Sequence, residues 1–124
     1  MTVWFCPACW HEVPPDAGAC PACGYDLADY AALSYDERLL LSLRHPVREC
    51  RMVALAVLGR RRYAPAVPVL REILACEPDY FFIREAVDAL DRIGTPESIA
   101  LLRTLRTHRS PLVRALIEEK EEGQ

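Results

Sequence analysis

Apolar residues recur at helical spacing along most of the chain. Leu39, Leu40 and Leu43 make one stripe. Val47, Cys50 or Arg51, Ala54, Leu55 and Leu58 make the next, followed by Val67, Leu70 and Ile73. A fourth carries Ala89, Leu90 and Ile93, a fifth Ile99, Leu102 and Leu105, a sixth Val113, Leu116 and Ile117. Returns every three or four residues put each set on one helix face. The segment Val47–Gly59 lies over Phe82–Gly94 at a shift of 35 residues, with Ala54-Leu55 on Ala89-Leu90, Leu58 on Ile93 and Gly59 on Gly94. The helix after each glycine matches at a shift of 32, so the first connection is three residues longer. A period in this range predicts a solenoid of helix pairs, each unable to bury its face alone. Six helices predict three antiparallel pairs, near the minimum of about three repeats for a stable stack.

Helix punctuation agrees with this division. Ser34-Tyr35-Asp36-Glu37 has the form of a capping box. Pro46 suits a first turn, and Gly59 is expected to end the helix that Pro46 opens. Pro65 opens the next helix, with Pro68 tolerated in its first turn. Pro78-Asp79, Thr95-Pro96-Glu97 and Ser110-Pro111 open the last three. Of Tyr80, Phe81 and Phe82, at least one ring should be buried between repeats. Asp26 to Leu33 reads as a partly helical linker, with Tyr30 and Leu33 placed to dock what precedes onto the first helix. Cys50 and Cys76 read as small buried residues.

The residues Pro46-Val47-Arg48, Ala54-Leu55, Leu58-Gly59, Ala66-Val67-Pro68-Val69-Leu70, Ala89-Leu90 and Ile93-Gly94 together resemble the HEAT repeat, especially the short type first described in phycobiliprotein lyases. The resemblance implies an all-α fold, a short right-handed α-solenoid of about three HEAT-like helix pairs, and a role in binding other macromolecules. The lyase-like type also implies, by analogy alone, a maturation or chaperone-like role on a cofactor protein. One departure stands out: the pair Val47-Arg48 has its counterpart Ile83-Arg84 shifted by one, which predicts an irregular arginine ladder.

Ahead of the helices lies a different pattern. Cys6-Pro7-Ala8-Cys9 and Cys20-Pro21-Ala22-Cys23-Gly24 are separated by ten residues. Each Cys-x-x-Cys can fold as a knuckle aiming two thiolates at one ion, and two knuckles supply a closed tetrahedral set, the structural zinc arrangement. The segment resembles a short zinc ribbon, with Gly24 in the tight turn after the second knuckle and Trp10 where the first would carry glycine. A disulfide pair and a rubredoxin-like iron site are the alternatives, and His11 is a bystander. Cys6, Cys9, Cys20 and Cys23 are therefore the expected ligands of a structural Zn²⁺. So short a segment builds no core of its own, so metal binding supplies its folding energy. The expected division is residues 1–27 as ribbon and 28–124 as helical repeats. Trp4, Phe5, Trp10 and Tyr25 either pack on the metal core and first helix or form an exposed contact patch.

Charge is uneven. Residues 1–37 hold no Lys or Arg and six acids, a net −6, whereas Arg44 to Arg62 holds six arginines against Glu49, a net +5. The acidic ribbon disfavours nucleic-acid binding there, since phosphates are neutralised by Lys and Arg. The arginines either face the ribbon and solvent or form a docking patch for an acidic protein, peptide or nucleic acid. Arg60, Arg61 and Arg62 in the connection are the leading candidates, extended by Arg71, Arg103 and Arg106 on the second helices. No catalytic constellation is visible: there is no phosphate loop or nucleophile motif, and His11, His45 and His108 sit apart at turns and helix ends. Met1 to Phe5 does not start a signal peptide, and no apolar run approaches the ~20 residues of a membrane span, so a cytoplasmic location without membrane or small-molecule partners is expected. The reading is a non-catalytic adaptor for a partner protein; nucleic-acid binding through the arginine face is the alternative.

Overall fold

The computed structural model describes residues 4–122; the outermost residues of the segments 1–27 and 28–124 lie outside them. The chain is all-α apart from a small N-terminal hairpin. Strands β1 (Trp4–Phe5) and β2 (Glu12–Val13) pair antiparallel, with Phe5 opposite Glu12. Seven α-helices follow among the described residues: α1 (Leu27–Ala32), α2 (Tyr35–Ser42), α3 (Arg48–Arg60), α4 (Ala66–Leu74), α5 (Tyr80–Ile93), α6 (Pro96–Thr104) and α7 (Pro111–Glu122). A short 3-10 turn, Leu105–Thr107, extends α6.

Local chemistry starts α2, α5 and α6 where the sequence placed them, whereas α3 begins after Val47 with no side-chain cap, so Pro46 precedes the helix and does not lie in its first turn. Ser34 accepts from the Glu37 amide and the Glu37 carboxylate accepts from the Ser34 amide, so the capping box of α2 is complete. Asp79 caps α5 through the amides of Phe81 and Phe82, and Thr95 caps α6 with Pro96 in its first turn. The linker is a true helix, α1, capped by Asp26.

One core runs through the array. Leu39 of α2 and Leu43 at its C-terminal cap, Leu55 and Leu58 of α3, Val67 and Leu70 of α4, Phe82 and Leu90 of α5, Leu101 of α6 and Ile117 of α7 all belong to it. Phe82 is the buried ring of its aromatic triplet; Tyr80 packs at the edge and Phe81 is exposed. The connection α3–α4 spans five residues against two for α5–α6, in line with the expected difference of three.

The fine phase differs from expectation in four places. Ile99 is exposed and Leu102 half-buried; Ser98 and Leu101 face inward instead, together with Leu105 as expected, matching Val67, Leu70 and Leu74 at a shift of 31. The Ser98 hydroxyl tolerates burial because it donates to the Thr95 carbonyl at 2.9 Å. Gly59 does not end α3. It lies inside the helix, and the chain turns at Arg62 with φ 51°. The Arg62 amide donates to Gly59 O and the Tyr63 amide to Leu58 O, which satisfies the last carbonyls in a Schellman pattern. Gly94, its counterpart, does cap α5 with φ 66°. Val47 and Cys50 are exposed, because Arg51 closes that turn of α3 with its guanidinium on the His45 carbonyl at 2.9 Å. Cys76 is exposed as well, since Leu74 is the last inward residue of α4 and Cys76 falls in the following turn.

Candidate functional site

The hairpin and the segment to Leu27 fold around the four cysteines in two like halves. Cys6 O accepts from the Trp10 amide at 2.7 Å and Cys20 O from the Gly24 amide at 2.8 Å. Cys6 N donates to His11 O and Cys20 N to Tyr25 O, both at 2.9 Å. Trp10 and Gly24 both take positive φ, 64° and 80°. Each half closes on a strand pairing, Phe5 with Glu12 and Ala19 with Asp26. Within each knuckle an amide points at a sulfur, Ala8 at Cys6 and Ala22 at Cys20, both at 3.4 Å. Tryptophan thus adopts a backbone conformation that costs side-chain-bearing residues about 1–2 kcal/mol.

The four Sγ atoms lie within 4.8 Å of one another, a set that could hold a metal ion. Cys6 and Cys23 are 3.6 Å apart, Cys9 and Cys20 3.7 Å, far beyond a disulfide bond. A tetrahedron with metal–sulfur bonds of ~2.3 Å has edges of about 3.8 Å, so the donor set fits such an ion. Crowding spreads the thiol titrations. Burial raises Cys20, but the amides of Cys23 and Ala22 outweigh it and bring it down to about 6. The Tyr25 amide favours the Cys23 thiolate, yet burial and the neighbouring thiols push that group up to about 12. Four thiolates at these distances would repel one another, and a cation bound among them would relieve that repulsion.

The knob docks on the helices through His45. Its ring lies 5.1 Å from both the Phe5 and Trp10 rings, edge-on to Phe5. Burial and the Arg51 charge lower the imidazole below its ordinary value, and Nδ1 accepts from the Val47 amide at 3.0 Å. Tyr25 packs on the cysteine cluster, while Trp4 stays half-exposed. Packing therefore accounts for Phe5, Trp10 and Tyr25, and exposure for Trp4.

The same turn recurs along the array. His45 accepts from Val47 N, Glu77 from Asp79 N and His108 from Ser110 N, two residues on each time. The Arg51 guanidinium reaches the His45 carbonyl, and the Arg114 guanidinium the His108 carbonyl. The spacings from His45 to Glu77 to His108 are 32 and 31 residues, and this signal was present in the sequence but masked by the change of residue type at Glu77.

The six candidate arginines are not brought together. Arg61 pairs with Asp36 at 2.5 Å and stacks on the Tyr35 ring at 5.4 Å, so it is engaged within the chain. Arg60 and Arg62 are exposed beside it. Arg103 and Arg106 line a separate cavity with Asp91, Lys120 and Glu121, and Arg106 is bonded to Glu121. Arg48, the residue of the Val47-Arg48 pair, bridges α3 to α5 through Asp79 at 2.6 Å. Arg71 alone enters a groove between α4 and α6, of about 400 Å³, where Arg109 and His108 join it. Leu74, Leu101 and Leu105 form its floor and Glu77 is its acid. No helix among the described residues is long and apolar enough to cross a membrane.

The family described as HEAT repeats matches residues 37–120. No curated protein and no solved structure matches the chain.

Proposed function

The chain belongs to the HEAT-repeat family, and from that premise we propose that it is a non-catalytic adaptor that binds a partner protein through the face formed by α4 and α6. The observation that carries this reading is the α4–α6 groove. It has an apolar floor, two arginines and a histidine on its walls, and a single carboxylate. Such a lining suits an acidic, partly apolar segment of another protein. Arg60 and Arg62 on the neighbouring connection extend the basic surface. The four N-terminal cysteines hold Zn²⁺ as a closed structural site, with no position left for substrate. In this reading residues 1–27 and 28–124 are the two units, and the zinc unit caps the open end of the stack. The protein works in the cytoplasm.

Nucleic acid is the weaker occupant. Arg44, Arg48, Arg61 and Arg106 are each tied to a carboxylate, at Glu72, Asp79, Asp36 and Glu121, which reduces the charge offered to phosphates. Placing a photo-crosslinking residue at Thr104 in the groove should trap a protein from native extract after nuclease treatment, whereas the same residue at Arg84 on α5 should not. Equal trapping at both positions would remove the groove assignment.

A further inference from the structure

A second cleft, of about 500 Å³, lies between the zinc knob and the first two helices. Its walls are aromatic: Trp4, Phe5 and Trp10 from the knob, Tyr30 from α1 and His45 beyond α2. Both tryptophans of the chain are here. Trp10 holds its place at the cost of a left-handed backbone that glycine takes in the matching knuckle. Among the described residues, no Lys or Arg lines the cleft. The segment that carries most of it is acidic instead: residues 1–37 hold six acids and no Lys or Arg. Asp16 is exposed between the lining residues Pro15 and Ala17. Of the nearby cations, Arg44 is paired with Glu72, while Arg51 stays at the His45 edge of the cleft and donates to that residue's carbonyl. Arg38 sits 5.3 Å over the Tyr30 ring and donates to the Ala31 carbonyl, so that one ring already carries a guanidinium from the α2 side.

We propose that this cleft binds an arginine- or lysine-bearing segment of a partner protein, with a cationic side chain seated against the Trp4 and Trp10 rings and its neighbours facing Asp16 and the acidic surface of residues 1–37. Indole faces are the best cation–π acceptors, and their attraction grows as water is excluded. The carboxylates add long-range attraction that discriminates against acidic and neutral segments. The two ends of the molecule then select opposite charges: the α4–α6 groove an acidic segment, the knob cleft a basic one. The inference does not depend on the groove, since the two sites share no residue.

The test uses the zinc-loaded full chain and a fluorescein-labelled decapeptide of alternating arginine and glycine. Anisotropy reports binding, and tryptophan emission reports whether the cleft is the place. Saturable binding with a shift in tryptophan emission is expected, and affinity should fall as salt rises. Trp4→Ala removes a half-exposed ring without disturbing the knuckles and should weaken binding at least tenfold. Trp10→Gly, which fits the positive φ, should do the same. Asp16→Asn should weaken it and flatten the salt dependence. Three results would overturn the proposal: equal binding of an alternating glutamate–glycine or a proline-rich decapeptide, unchanged affinity in both tryptophan variants, or concentration-dependent self-association abolished by Arg60→Glu, which would make a second copy the occupant.

Discussion

Gly59 of α3 lies directly against Ala89 of α5. A methyl group built on Gly59 would come within 2.9 Å of both the Cα and Cβ of Ala89. α3 and α5 make the most extensive helix–helix contact of the array. Gly94 aligns with Gly59 in the repeat but serves another purpose, holding φ 66° after α5 with no crowding below 3.6 Å.

The two glycines should therefore respond differently to substitution. Gly59→Ala forces α3 and α5 apart and should cost about 1–2 kcal/mol, overpacking being partly offset by better helix propensity. Gly94→Ala should cost about 1 kcal/mol through backbone strain alone. Asparagine, which tolerates the left-handed region, should rescue position 94 and worsen position 59. Thermal unfolding of the four variants checks this, and equal behaviour of asparagine at both sites would contradict it.

Arg62 bears the positive φ that ends α3. Replacing it with glycine should stabilise the chain by about 0.5–1 kcal/mol, the strain relieved less the extra unfolded-state entropy. A lower Tm for Arg62→Gly would show that the arginine side chain contributes more than its backbone costs.

Asp79 joins three functions: it caps α5, accepts from Arg48 and so ties α5 to α3. The bond from Arg48 holds its carboxyl below the usual range, opposed by burial and aided by the Phe81 and Phe82 amides. A lowered folded-state pKa means stability that is present above the unfolded value of ~3.9 and lost as pH falls through the folded one. Asp79→Asn keeps much of the cap but loses the ion pair. Its destabilisation relative to wild type should be largest near neutrality and shrink below pH 4. A constant difference down to pH 2 would argue that the cap alone matters.

The cysteine knob and the helical array have separate cores with no shared residue. Stripping the metal with a chelator should collapse the knob, seen as a change in tryptophan emission, while the far-ultraviolet helical signal largely remains. Cys9→Ser should do the same without chelator. Metal uptake near pH 7 should release close to four protons per ion, since the thiols of the collapsed knob return to ordinary values of ~8.5 and are mostly protonated there. Acidification should weaken uptake. Parallel loss of helix and knob on chelation would mean that the zinc unit nucleates the whole chain.

The helix starts and the four cysteines were legible because they rest on local chemistry. Ser34, Asp79 and Thr95 cap within three residues of themselves, and each knuckle closes over five. What escaped depends on contacts between elements. Whether Ile99 or Ser98 faces inward is set by how α6 sits against its neighbours, and one residue of phase turns a helix by about 100°. Gly59 looks like a terminator until Ala89 is brought against it. The arginine run appears as one patch in sequence, but Asp36, Glu72, Asp79 and Glu121 divide it, and all four lie far along the chain from the arginines they bind. His45 gave no signal of its docking role, because Phe5 and Trp10 reach it across about forty residues.

The most direct test of the adaptor reading is quantitative capture from nuclease-treated native extract, comparing zinc-loaded wild type with Arg71→Glu/Arg109→Glu. Both substitutions fall on exposed side chains, so Tm and bound zinc should be unchanged. The account predicts a protein partner held by the wild type through nuclease treatment and lost from the variant. Equal capture by both chains, or loss of all captured material on nuclease treatment, would contradict it.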